Sequence, residues 1–125
     1  MGSRVLVCGG RHYDDKTRLW KSLDDLREKR GPFDCLIHGD ASGADKLAKG
    51  WAESRRVLYA SFPAKWVKYG VAAGAIRNQQ MINEGKPDFV VAFPGGKGTR
   101  DMVRRAKAFG LEVIEIPTEL DVDDA

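Results

Sequence analysis

The turn Phe93-Pro94-Gly95-Gly96-Lys97-Gly98-Thr99-Arg100-Asp101 carries the most concentrated chemistry in the chain. An apolar run of strand character, Asp88 to Phe93, leads into it, and a run of helical character, Arg100 to Phe109, leads out. Three glycines and a threonine at a strand-to-helix turn leave backbone N–H groups free to point outward. The helix start behind them carries partial positive charge, so the turn suits an anion such as phosphate. A tight loop with Thr99 as helix cap accounts for the same residues without a ligand. Neither GxGxxG nor GxxxxGK[ST] is present, so neither the standard dinucleotide fingerprint nor a P-loop is indicated.

Three other stretches carry comparable chemistry. Gly9-Gly10-Arg11-His12-Tyr13 offers a guanidinium whose paired donors fit a phosphate or a carboxylate. Two glycines before Arg11 favour that reading over a merely solvated arginine; His12 and Tyr13 either stack on a base or ribose or lie on the surface. In His38-Gly39-Asp40-Ala41-Ser42-Gly43-Ala44-Asp45, small residues let a ligand approach the backbone closely. Gly39 and Ser42 are candidate ligand contacts there. Asp45 either accepts from ribose hydroxyls or complements the positive helix start. His38 ends an apolar run and reads as a structural histidine. In Gly74-Ala75-Ile76-Arg77-Asn78, an arginine stands among small and apolar helical residues, one turn from Met81. Arg77 either meets a phosphate or sugar, with Asn78 beside it, or pairs with Asp101 or Asp45. Trp66 and Tyr69 form an aromatic wall or anchor their loop. No serine sits in a nucleophile elbow.

The elements that must position these loops alternate strictly. Arg4–Cys8, Phe33–His38, Arg56–Ala60, Asp88–Phe93 and Leu111–Ile116 read as strands, and Lys16–Lys29, Ala44–Ser54, Val71–Glu84 and Arg100–Phe109 as helices. Asp14 or Asp15 can cap the first helix, and Ser42 with Asp45 has capping-box spacing on the second. The first runs are continuously apolar, as strands buried on both faces are, whereas the last alternates like an edge strand. The order β-α-β-α-β-α-β-α-β predicts an α/β, doubly wound, Rossmann-like domain. It would hold a five-stranded, mainly parallel sheet of order 3-2-1-4-5, with helices on both faces. Strands one and four are then neighbours at the switch point, where ligands bind beyond the carboxyl ends of strands. That places Gly9, Gly10 and Arg11 beside Pro94, Gly95, Gly96, Lys97, Gly98 and Thr99.

The chain has 125 residues, 42% hydrophobic and 31% charged, with a net charge of +3. One domain over residues 1–117 and an acidic tail over 118–125 are expected. The mild charge admits an anionic ligand and makes DNA an unlikely partner. Two cysteines, Cys8 and Cys35, lie in apolar runs and read as small buried hydrophobes of a reducing compartment. No metal site and no cofactor are expected, because only two histidines and two cysteines are available. No apolar run approaches bilayer length and no leader pattern opens the chain, so a cytoplasmic protein is expected.

Taken together, the loops resemble the SLOG superfamily, in particular its small YspA-like (YAcAr) branch. The matching stretches are Gly9–Tyr13, His38–Asp45, Phe62–Trp66, Ala73–Asn78 and Phe93–Thr99. The resemblance implies a Rossmann-like fold and nucleotide-derived ligands. Members include the LOG phosphoribohydrolases, which cleave the N-glycosidic bond of nucleoside monophosphates, and the DNA-processing protein DprA. LOG enzymes carry PGGxGTxxE, with the glutamate acting alongside an arginine. Here Pro94–Thr99 matches and Arg77 takes the arginine's place, but Met102 stands at the glutamate position. Asp101 is adjacent yet turned by about 100° on a helix.

The expectation is therefore a module that binds a nucleotide or an ADP-ribose-like molecule at the switch point, with Arg11 and Arg77 pairing its charge and Asp45 at a ribose. The alternatives are an N-glycosidic hydrolase using Arg77 and Asp101 as catalytic residues, and DprA-like DNA binding. Homo-oligomers are compatible with Gly74, which permits close helix approach.

Overall fold

A computed structural model describes residues 2–118. The strands are β1 (Ser3–Cys8), β2 (Phe33–His38), β3 (Tyr59–Ser61), β4 (Phe89–Ala92) and β5 (Glu112–Glu115). The helices are α1 (Lys16–Arg30), α2 (Ala44–Arg55), a short α3 (Trp66–Tyr69), α4 (Ala73–Gly85) and α5 (Lys97–Phe109). The sheet runs β3-β2-β1-β4-β5, and each neighbouring pair is parallel. The strand order is the expected one; the sheet is wholly rather than mainly parallel.

Alternation along β1 divides the interior in two. Val5 and Val7 face a core built with Leu19 and Leu23 of α1 and Ala44, Ala48, Trp51 and Ala52 of α2. Leu6 and Cys8 face the opposite core, with Met81 and Ile82 of α4 and Met102 and Ala106 of α5. Val5, Leu6 and Val7 are all fully buried, which is why this strand shows no polar alternation. In β5, by contrast, Glu112 and Glu115 are exposed and Val113 and Ile114 half-buried, as suits a sheet edge. Both cysteines are buried, and burial pushes the Cys8 thiol pKa up.

Local chemistry explains most boundaries. Asp15 caps α1, its Oδ1 accepting from the Arg18 amide at 3.1 Å. The helix expected from Val71 starts two residues later, at Ala73, and two short helical turns precede it. A glycine at φ +57, Gly70, ends α3, a 3-10 turn spans Gly70–Ala72, and α4 starts at Ala73. The third strand starts later than its apolar run suggested. Arg56 takes the left-handed conformation that closes α2, and the Val57 amide still bonds back to Ala52, so pairing begins only at Tyr59. The first turn of α5 begins at Lys97, with Gly96 as its cap residue, so Thr99 lies inside the helix rather than capping it. The acidic tail falls outside the described residues apart from Thr118.

Among the described residues no helix is long and apolar enough to cross a membrane.

Trp51 is fully buried, packs tilted against Phe33 with ring centroids 5.5 Å apart and donates its indole N–H to Asp24 at 2.9 Å. Trp66 is 46% exposed. Trp51→Ala should therefore cost about 3–5 kcal/mol in urea unfolding, the usual cost of emptying a large core site. Trp66→Ala should cost under about 1 kcal/mol.

Candidate functional site

The turns after β1, β2 and β4 are packed backbone to backbone. The Gly10 amide donates to the Pro94 carbonyl at 2.9 Å, and the Gly10 carbonyl accepts from Ala44 at 3.1 Å. A Cβ on Gly9 would lie 2.6 Å from that of Ala44, and one on Gly95 would lie 2.6 Å from the Gly10 nitrogen. Gly43, at φ +73, brings its Cα against the Gly10 carbonyl in a conformation that L side chains resist. These glycines are needed for the turns to touch.

Beyond the turns opens a cleft of about 740 Å³. Gly9, Gly10, Arg11 and Asp45 form one wall; Gly96, Lys97, Gly98, Thr99 and Asp101 form the other. Arg77 and Asn78 of α4 contribute the third side. Four candidates from the sequence lie elsewhere. Pro94 and Gly95 line a separate hollow of about 490 Å³ on the far side of the turn. Ser42 donates its hydroxyl to the Arg11 carbonyl at 3.1 Å. Gly39 gives its carbonyl to the Arg77 guanidinium.

The start of α5 keeps its donors. No side chain caps it, and the Arg100 amide is taken by Gly96 at 3.0 Å. The amides of Lys97, Gly98 and Thr99 have no partner within the helix, as first-turn geometry requires. A Cβ on Gly96 or on Gly98 would meet nothing within 4 Å.

Arg77 makes neither of the ion pairs considered for it. Its guanidinium donates to the carbonyls of Gly39 and Phe62 and to Asn78 Oδ1. Burial lowers its pKa, Asp45 opposes that, and the charge of Arg11 adds to it. Asn78 is committed rather than free, since Nδ2 donates to the Gly98 carbonyl at 3.2 Å and to Asp101 Oδ2 at 3.0 Å. It therefore ties α4 to the first turn of α5. Asp101 also accepts from Arg104 at 2.6 Å and from Arg105 at 2.8 Å. Burial pushes its carboxyl up, but the bonds from Arg105 and Asn78 and the arginine charges outweigh that and hold the pKa below the usual range.

Asp45 is buried, with Oδ2 accepting from the amides of Gly39 and Ala41, each at 3.1 Å. It stabilises its loop directly; the expected capping box with Ser42 does not form, and Gly43 is the cap residue. Burial raises its pKa to about 6, against the pull of those amides and of Arg77. His38 is buried, and burial lowers its pKa. Its Nδ1 accepts from the Asp40 amide at 2.9 Å, which puts the proton on Nε2, 2.8 Å from Ser61 Oγ. In that tautomer it donates to Ser61 and cannot serve as its base.

Trp66 lines the cleft, and the Arg11 guanidinium lies 5.1 Å over its ring. Arg104, which no motif pointed to, lines the cleft as well; only its place on the cleft face of α5, one turn beyond Arg100, could have signalled it.

The sequence profile of the YspA, cpYpsA-related SLOG family matches residues 3–69. The chain belongs to this family. The matched part runs from β1 to α3, so it includes the loops bearing Gly9, Gly10, Arg11 and Asp45 and stops before Arg77 and the Gly96–Thr99 turn. The chain is also similar to the Gene 61 protein of Mycobacterium phage D29, with 38% identity over 119 residues, covering 89% of this chain and 94% of that one. No solved structure matches. Membership of this SLOG family suggests a role in binding a nucleotide-related ligand.

Because the folded state raises the Asp45 pKa from 3.8 to about 6, it favours the neutral acid. Its contribution to stability is complete below about pH 4 and is lost as pH rises through about 6. Asp45→Asn keeps an acceptor for both amides and does not titrate. Its unfolding free energy should gain about 2–3 kcal/mol on the wild type between pH 4 and pH 7.5. Urea unfolding at the two pH values measures this; a constant difference would contradict the raised pKa.

Proposed function

We propose that the cleft binds a nucleotide or nucleotide-derived ligand by its phosphate, seated on the first turn of α5 between the turns of β1 and β4. The observation that carries the reading is the contrast among the glycines. Gly9, Gly43 and Gly95 are explained by packing, whereas Gly96 and Gly98 face open space. Gly98 sits inside a helix, where glycine costs about 0.5–1 kcal/mol relative to alanine. A phosphate approaching the amides is what that clearance would serve.

The remaining walls suit the rest of such a molecule. Asp45 spends Oδ2 on its own loop, and Oδ1 takes no bond among the described residues, which leaves it for a ribose hydroxyl. Trp66 offers an aromatic edge at the cleft mouth.

Two observations count against N-glycosidic hydrolysis. Met102, at the position where the resemblance implies a glutamate, is buried in the core between α4, α5 and the sheet. Asp101 has both oxygens bound by Arg104, Arg105 and Asn78. A carboxylate so engaged is a poor proton donor. Incubation with nucleoside monophosphates is expected to release no free base.

Gly98→Ala separates fold from ligand by sign. It should raise stability by about 0.5–1 kcal/mol while weakening AMP or ADP-ribose binding by tenfold or more in calorimetry. Unchanged affinity in a stabilised variant would remove the first turn of α5 from the site.

A further inference from the structure

The cations around the cleft outnumber their partners. Arg104 is spent on Asp101, at 2.6 Å, and Asp101 also holds Arg105. Arg11, Arg77, Lys97 and Arg100 line the same cleft, and none of them forms an ion pair among the described residues. Arg11 rests on an aromatic ring and Arg77 on neutral carbonyls. The other cleft carboxylate, Asp45, lies under its own loop amides.

The four charges are also divided in space. Arg11 lines the cleft from the turn after β1 and Arg77 lines it from α4. Lys97 and Arg100 are three apart on α5 and so share one face, opposite the buried Met102 and Ala106. Helical side chains lean toward the N-terminus, which carries both toward the free amides. Arg100 also borders the hollow beyond the turn. A single phosphate brings about two negative charges and one set of oxygens; it can satisfy the amides and one flank, leaving the other pair of cations without a counter-charge.

We infer that the ligand carries a diphosphate, one phosphate on the amides with Arg11 and Arg77 and the second held by Lys97 and Arg100. This rests on the phosphate reading of the cleft and narrows it to diphosphate-bearing compounds. Lys97 and Arg100 then set the preference for two phosphates over one.

The test is calorimetry on the full chain at fixed ionic strength, with inorganic phosphate and inorganic pyrophosphate as probes. Pyrophosphate should bind at least tenfold tighter than phosphate. Lys97→Gln with Arg100→Gln should erase most of that preference while changing phosphate affinity less than threefold. Lys21→Gln with Lys29→Gln, on α1 away from the cleft, should leave both affinities within twofold. Equal affinity of the wild type for the two anions overturns the diphosphate assignment and leaves the phosphate site standing. An equal loss of preference in the α1 variant makes it a bulk-charge effect and likewise overturns the assignment. If neither anion binds, the phosphate reading itself fails.

Discussion

One hydrogen bond, from the Gly10 amide to the Pro94 carbonyl at 2.9 Å, joins the two turns on which the cleft depends. It is possible because β1 and β4 pair in parallel, Cys8 against Ala92, so that their carboxyl ends finish level with each other. The crossovers that follow leave on opposite faces of the sheet, α1 and α2 on one and α4 and α5 on the other. Chain direction therefore parts where β1 meets β4, and the space between the departing loops stays open. Parallel pairing thus creates the cleft, and glycine lets its walls come together.

Glycines in this region do two different jobs. Those of the contact layer, Gly9, Gly43 and Gly95, have neighbours where a side chain would have to be. Those on the open wall, Gly96 and Gly98, have none. The distinction cannot be drawn from residue type, since all five look alike in a string of letters. It also orders the polar groups. Asn78 joins the Gly98 carbonyl to Asp101 and holds Arg77 through its other atom, so the flank of the cleft and the start of α5 share one network.

Much of the architecture was legible because burial leaves a pattern. Strands covered on both sides, such as Val5–Val7, must be apolar throughout, and that fixes the sheet type before any coordinates. Strand order and loop adjacency followed from connection rules. What the letters did not show was where polar side chains end up. Ser42 and Gly39 read as ligand contacts but do not line the cleft, and Asn78, which does line it, is also bonded to the Gly98 carbonyl and Asp101. Arg77 has two carboxylates within sequence reach as partners, yet it bonds backbone carbonyls, which carry no mark in a sequence. The short helix Trp66–Tyr69 was similarly hidden: Gly70, at positive φ, ends it after four residues, too few to leave a helical pattern.

The free amides at the start of α5 are proposed to receive a phosphate beside the Gly10 turn. Amide chemical-shift mapping during titration with AMP reads this directly. Lys97, Gly98 and Thr99 should shift most, with Gly10 and Arg11 moving in step and the amides of α1 unchanged. Saturable shifts confined to any other surface, or none at all across the Gly96–Thr99 turn, would contradict it.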